Sequence, residues 1–206
     1  MRHCESIWNG QKRYSGHKDI PLTYNGTQHA NMIGKFIGKF PIKTLISSDL
    51  QRAINTAKPI EKSLQIPLEL DSNFREVNFG KLEGLKISEI KRFYPQVWRS
   101  YLTNPIETRF PGGETCSEAL KRSTDSLKKM YNSNSLNGTL IVMHGTILRI
   151  ILCYLVGIDT KLFRNVFCGV DNGSISAIKI QEFGQKTDLK SQGTIITFNQ
   201  NLLVNK

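Results

Sequence analysis

Cysteine is scarce and scattered in this chain. The four residues Cys4, Cys116, Cys153 and Cys168 form no Cys-x-x-Cys pair, so neither a disulfide framework nor a thiolate metal site is expected. Three of them are expected to be buried as small hydrophobes. A membrane-length apolar run is also missing. A bilayer span needs about 20 residues, whereas the segment 147–156 is short and broken by Arg149, and it reads as a core helix. The opening Met-Arg-His-Cys-Glu has neither the basic-then-apolar order of a secretory signal nor the character of an acid-free presequence, which points to the cytoplasm and to no membrane partner. Acidic residues are few, 17 against 28 lysines and arginines, leaving a net charge of +11. Such a surplus suits an anionic partner, a small phosphorylated molecule as readily as nucleic acid, or simply a solvated basic surface. The lysines are spread along the chain with no basic arm and no aromatic-basic binding module, which disfavours nucleic acid. No linker, repeat or low-complexity tract interrupts the 206 residues, so one domain over 1–206 is expected.

What is present alternates between strand-like and helix-like segments, the pattern of an α/β fold with helices on both faces of a sheet. Thr23 is placed to cap a helix to about Phe40, and a short strand through Thr44, Leu45 and Ile46 stops at Ser47-Ser48. Asp49 is expected to open a helix to about Leu64. Pro67 to Leu70 reads as a strand, and Phe74 to Gly84 as irregular. Helices follow at Ile87–Phe93, Pro95–Leu102 and Glu114–Tyr131. The apolar run Thr139–Met143 suits a strand buried on both faces, with a helix from Thr146 to Val156 behind it. Late strands are expected at Ser174–Ile180 and Thr194–Phe198.

Three motifs stand at strand ends or helix starts, where an open α/β sheet collects its ligands. They are Arg2-His3-Cys4-Glu5-Ser6-Ile7-Trp8-Asn9, running on through Ser15, Gly16 and His17; Ser47-Ser48-Asp49-Leu50-Gln51-Arg52-Ala53; and Val142-Met143-His144-Gly145. Between the last two lies Arg75-Glu76-Val77-Asn78-Phe79-Gly80-Lys81-Leu82-Glu83-Gly84. Singly, each residue has an ordinary reading: a hydrogen-bonded structural histidine, a solvated Arg52, or a surface Arg75–Glu76 pair worth roughly 0 to 1 kcal/mol. Their order and spacing together are far less ordinary.

On these residues the chain resembles the histidine phosphatase superfamily, also called phosphoglycerate-mutase-like, over essentially its whole length. The resemblance implies a three-layer α/β/α sandwich with a mostly parallel central sheet. It also implies hydrolysis of a small phosphorylated metabolite through a phosphohistidine, with no metal or cofactor, and it admits a homodimer. His3 is then the phosphoacceptor, Arg2, Arg52 and His144 form the phosphate pocket, and Glu76 is the proton donor. Asn9, Ser15, Gly16 and Gly145 fall at substrate-contacting positions. Physical chemistry asks the same of these side chains. A nucleophilic imidazole must be neutral, with its other ring nitrogen held as a donor, for instance to a backbone carbonyl. Fixed guanidinium and imidazole donors around the phosphoryl oxygens are worth several kcal/mol, and a proton donor such as Glu76 is helped by burial. His17 is expected near the substrate entrance, and His29 is expected to be structural.

Two departures stand out. Cys4 replaces the glycine usual after the nucleophile, which suggests an oxidation-sensitive site. Only Met1 precedes the Arg-His pair where the family has a central strand, so the expectation is a start lying upstream, or a sheet that tolerates the loss. The short reach from Glu76 to Pro111-Gly112-Gly113-Glu114 lacks the long insertion of the mutases and favours a phosphatase. A 2,3-bisphosphoglycerate-dependent phosphoglycerate mutase and a non-catalytic phospholigand-binding member are the alternatives. The stretch from Lys86 to Phe110, which would roof the pocket, matches nothing that identifies a substrate.

Overall fold

The computed structural model describes residues 1–181 and 188–202. In chain order its helices and strands are α1 (Ile7–Gly10), α2 (Tyr24–Ile37), β1 (Thr44–Ser47), α3 (Gln51–Leu64), β2 (Leu68–Leu70), α4 (Ile87–Phe93), α5 (Pro95–Thr103), α6 (Cys116–Asn132), β3 (Thr139–Val142), α7 (Gly145–Val156), α8 (Phe163–Val166), β4 (Ile175–Ile180) and β5 (Gly193–Gln200). A 3-10 turn, Ser72–Phe74, leads into the stretch expected to be irregular, and a second, Gly80–Leu82, lies within it. Among the described residues no helix is long and apolar enough to cross a membrane.

Strands β2, β1 and β3 lie side by side in that order, all parallel, while β4 and β5 form an antiparallel pair beside them. Side chains alternate across a strand, and β1 and β3 divide their residues between two cores accordingly. Leu45, Leu140 and Val142 pack with Ala30, Ile33 and Ile37 of α2 and Ala53, Ala57 and Ile60 of α3. Ile46, Ile141 and Met143 face the other way, onto Ala119 and Leu127 of α6 and Ile147, Ile150 and Ile151 of α7. The result is an α/β/α sandwich with a mostly parallel sheet. Strand β3 alternates half-buried and buried residues instead of being buried throughout.

The first residues occupy the place where a preceding strand was expected. Met143 N–H donates to the Met1 carbonyl (2.9 Å) and His3 N–H to the Met143 carbonyl (2.9 Å), a single parallel bridge between Arg2 and Met143. Three residues thus cover that flank of β3, and Arg2 N–H on their other side reaches the Ser174 carbonyl (3.1 Å).

Local signals mark most boundaries. The Thr23 hydroxyl accepts the Gly26 N–H (2.9 Å) and starts α2, and a Thr115–Glu118 capping box starts α6. Asp49 does not open α3, contrary to expectation. Its carboxylate is taken by the Arg75 guanidinium in two bonds of 2.6 and 2.5 Å, and the exposed Gln51 N–H is satisfied instead by Asp19, at 2.7 Å. Helices α2 and α3 touch backbone to side chain where Gly34 meets Pro59. A Cβ at Gly34 would lie 2.7 Å from the Pro59 carbonyl oxygen.

Gly34→Val should therefore push the two helices apart and cost about 1–3 kcal/mol, as overpacking of a tight contact does. Gly169→Ala, with nothing within 4 Å of the new methyl, should change stability by less than about 0.5 kcal/mol. Urea midpoints of the two variants against the parent check both values.

Candidate active site

The site lies beyond the carboxyl ends of β1, β3 and the short segment 1–3, the end at which parallel sheets present their loops. Ser48 follows β1, His144 follows β3, and His3 ends the amino-terminal segment. The buried rings of His3 and His144 stand 5.0 Å apart, centroid to centroid.

Hydrogen bonds set the tautomer of each ring. His3 Nδ1 lies 2.6 Å from the Cys4 carbonyl, and since a carbonyl only accepts, Nδ1 carries the proton and Nε2 keeps its lone pair. His144 is the reverse. Its Nδ1 accepts from Arg52 Nε (3.2 Å), so its Nε2 donates to Ser48 Oγ (2.8 Å). Burial, and then the neighbouring guanidiniums of Arg52 and Arg2, hold the His3 pKa well below the ordinary histidine range. Burial and Arg52 do the same to His144.

Arg52 is wholly buried, not the solvated residue its place on the first turn of α3 would suggest. Beyond His144, its Nη1 donates to the Lys18 carbonyl (2.8 Å) and its Nη2 to that of Gly16 (2.7 Å). Burial lowers its pKa to about 10, which leaves it charged at neutral pH. The turn bearing those carbonyls is itself clamped by Glu83, which accepts from His17 N–H (2.8 Å) and Lys18 N–H (3.0 Å). Gly16 must be glycine here. Its φ is +50° and an added Cβ would fall 1.9 Å from Glu83 Oε1.

Glu76 reaches the same cavity from the loop after β2. Its Oε2 accepts from Thr146 N–H (2.9 Å), and its Oε1 from Ile147 N–H (2.9 Å) and Val77 N–H (3.0 Å). Two of these donors belong to the first turn of α7, where the helix dipole also favours a negative charge. Three backbone N–H groups thus hold both oxygens of this carboxyl in place. Among the described residues, two polar atoms at the cavity are buried without a partner, Arg2 Nε and Ser15 Oγ. Asn9 spends its Oδ1 on Ser6 and Asn172, which leaves its amide N–H groups for a ligand.

These residues border a cavity of about 340 Å³ lined by Arg2, His3, Asn9, Ser15, Gly16, Arg52 and Glu76 among others. The structure thus gathers seven of the nine candidates around one cavity. His144 stands behind Arg52 and His3 instead of lining it, and Gly145 lies where Arg2 passes, an added Cβ falling 3.3 Å from Arg2 Nε. His17, expected at the entrance, is not among the residues that line the cavity: its Nε2 donates to the Glu76 carbonyl (2.9 Å). His29 packs against Gly173, and its Nε2 is buried without a hydrogen-bond partner among the described residues. Cys116 and Cys153 are buried, and so is Cys4; Cys168 is exposed. Burial pushes the Cys4 thiol up to about 12, so the expected oxidation sensitivity has no thiolate to begin from. Sequence reasoning did not single out Tyr101, Arg149 and Arg164, nor Arg13 and Tyr14 beside the first motif, all of which line the same cavity. For Arg149 a clue existed, one arginine inside the apolar α7. For Arg164 and Tyr101 there was none.

A family model described as histidine phosphatase superfamily (branch 1) matches residues 1–192. A probable phosphoglycerate mutase of Yersinia pestis is 32% identical over 183 residues, 88% of this chain and 84% of its own. Phosphoserine phosphatase 1 of Hydrogenobacter thermophilus is 27% identical over 182 residues, 88% of this chain and 85% of its own. Among solved structures, a mycobacterial glucosyl-3-phosphoglycerate phosphatase superposes with a TM-score of 0.84 at 21% identity, covering 97% and 96% of the two chains. A putative alpha-ribazole-5'-P phosphatase from Escherichia coli gives 0.85 at 21%, covering 100% and 97%.

The two lowered histidine pKa values make a statement about stability. Unfolded imidazoles take up protons near pH 6.5, whereas folded His3 and His144 do so only well below it. Their contribution is complete above about pH 6.5 and is lost as the pH falls below it, on the order of 1 kcal/mol per pH unit for each ring. Urea unfolding at pH 7 and pH 5 should show that loss, and ¹⁵N spectra at pH 6 should show His3 neutral with its proton on Nδ1. A protonated His3 at pH 6 would contradict the geometry.

Proposed function

Because the chain belongs to the histidine phosphatase superfamily, branch 1, we propose that it is a metal-independent phosphomonoester hydrolase acting through a phosphohistidine on His3. The observation that carries the reading is the His3 ring: neutral, fixed through Nδ1 to the Cys4 carbonyl, its Nε2 free beside two guanidiniums and a cavity. The names of relatives and neighbours, phosphoserine phosphatase, glucosyl-3-phosphoglycerate phosphatase and alpha-ribazole phosphatase, support hydrolysis of a small phosphorylated substrate. The whole of 1–206 is read as one domain serving this site.

The phosphate enters with its oxygens toward Arg2 and Arg52, Ser15 Oγ and the Asn9 amide, replacing water by fixed donors. Nε2 of His3 attacks phosphorus; the N–P bond forms as the ester P–O bond breaks. The alkoxide leaves with a proton from Glu76. Water then attacks the phosphorus, gives its proton to Glu76 and releases phosphate, and His3 returns to its neutral form with Nδ1–H kept throughout. His144 acts from behind, holding Arg52 Nε and flanking His3. The charge of the transferring group is met by guanidiniums, which is why no metal is assigned a step.

The mutase-named relatives support a second reading, in which a substrate hydroxyl replaces water as acceptor. Phosphoglycerate isomerisation that depends on a bisphosphoglycerate primer identifies that reaction; phosphate release without a primer identifies the hydrolase.

Hydrolysis of phenyl phosphate should persist at mildly acidic pH and in excess chelator, and an absolute requirement for added magnesium, manganese or zinc would overturn the assignment. Acid-quenched turnover followed by mass mapping should place phosphate on the peptide containing His3. His3→Ala should abolish turnover while phosphate or vanadate still binds. His144→Ala should slow the formation of the intermediate by on the order of 100-fold, as loss of one preorganised group does.

Glu76→Gln should separate substrates by leaving group. Alkyl phosphates, whose departing oxygen needs a proton, should suffer most, and aryl phosphates least. The ratio of kcat/KM between the two ester types, parent against variant, is the measurement.

A further inference from the structure

Five arginines line the cavity, Arg2, Arg13, Arg52, Arg149 and Arg164, and Glu76 is the one carboxylate among its described lining residues. The reading above uses Arg2 and Arg52 for the phosphate. Arg13 is compensated: it pairs with Glu89 (3.3 Å) and donates to the Gly84 carbonyl (2.6 Å). Arg149 and Arg164 are different. Among the described residues neither meets a carboxylate.

Both are nevertheless built into the wall and do not trail in solvent. Arg149 donates from Nε to the Gly145 carbonyl (3.1 Å) and from Nη1 to that of Phe167 (3.2 Å), and its guanidinium lies 5.0 Å over the Phe163 ring. Arg164 donates from Nη1 to the Tyr101 carbonyl (3.4 Å) and sits over Tyr101 at 4.7 Å and Trp98 at 5.7 Å. Stacking and carbonyls fix each guanidinium by a face and one edge. Nη2 of Arg149, and Nε and Nη2 of Arg164, have no hydrogen-bond partner among the described residues. A planar fork of N–H donors held this way is pre-organised for oxygen anions. The charges point the same way. A bound phosphate dianion balances Arg2 and Arg52, and Glu76 offsets one more charge at most, so the cavity lining stays positive after the phosphate is seated.

We propose that Arg149 and Arg164 form a second anion subsite, selecting substrates that carry a carboxylate or a second phosphoryl group near the scissile phosphoester. This rests on the reading of the cavity as a phosphomonoesterase site and specifies the rest of the substrate. The two arginines come from the helix behind His144 and from α8, outside the four motifs. Neither is part of the phosphoryl-transfer step, so their effect is on binding, and removing them raises KM more than it lowers kcat.

Three probes on one three-carbon skeleton test it: glycerol 3-phosphate, 3-phosphoglycerate and propane-1,3-diol bisphosphate. Phenyl phosphate serves as the control for turnover. The expected result is a kcat/KM about 10- to 100-fold higher for one or both doubly anionic probes than for glycerol 3-phosphate, the range of a charge-assisted hydrogen bond. The preference should collapse toward one in Arg149→Met and Arg164→Met, mostly through KM, and be partly kept in Arg164→Lys. Which probe wins tells carboxylate from phosphoryl. Equal kcat/KM for all three probes in the parent overturns the subsite, as does an undiminished preference in folded Arg149→Met and Arg164→Met. Equilibrium binding of the same probes separates the two readings. A preference in binding with no turnover of any probe, phenyl phosphate included, keeps the subsite and removes the hydrolase. Turnover of phenyl phosphate with no preference removes the subsite alone.

Discussion

The burial of the Arg52 guanidinium organises the centre of this molecule. A charge taken out of water without partners is prohibitively costly, so the chain must bring acceptors to it, and it brings them from two distant places: the turn carrying Gly16 and Lys18, and His144. Meeting that need fixes the turn after Ser15, through the carbonyls that Arg52 binds and the Glu83 clamp beneath them. It fixes the tautomer of His144 as well, since an arginine can only donate. The same side chain that would hold phosphate therefore also shapes the walls around it.

Electrostatics around this centre work against protonation of the histidines and in favour of anions. His3 and His144 are kept neutral by burial and by the guanidiniums beside them. The cavity itself is left with donors to spare, Arg2 Nε and Ser15 Oγ being buried without a partner. Unmet donors in a folded protein carry a cost, one that a bound oxyanion relieves. Glu76 is the counterweight, fastened to the amino end of α7 by backbone N–H groups, so it stays in place whether or not it carries a proton.

Much of this was legible in the sequence. The bounds of α4 at Ile87–Phe93 agree with expectation, as does the Thr23 cap of α2, because capping and periodicity are written within a few residues of one another. Strands β1 and β3 were visible as short apolar runs ending in Ser47-Ser48 and His144. The placement of Arg2, His3, Arg52 and Glu76 around one cavity was implied by the family resemblance that the three motifs and the segment between the last two carry. Asp49 was misread as opening α3 because a carboxylate before a helix looks like a cap, and its true partner, Arg75, lies 26 residues away.

By itself, then, the sequence determined the fold class, the family and the residues that stand at the strand ends, since each depends on local pattern or on motif order. Tertiary structure decided what no local pattern carries. It seated residues 1–3 against Met143, sealed Cys4 in the core beside Thr56, tied His17 to the Glu76 carbonyl, and turned Arg149 and Arg164 toward the cavity. The physical reason is common to all four. Burial and charge pairing are set by contacts between segments far apart in the chain, as between Arg52 and His144, 92 residues away, and those partners are chosen only when the two cores close on the sheet.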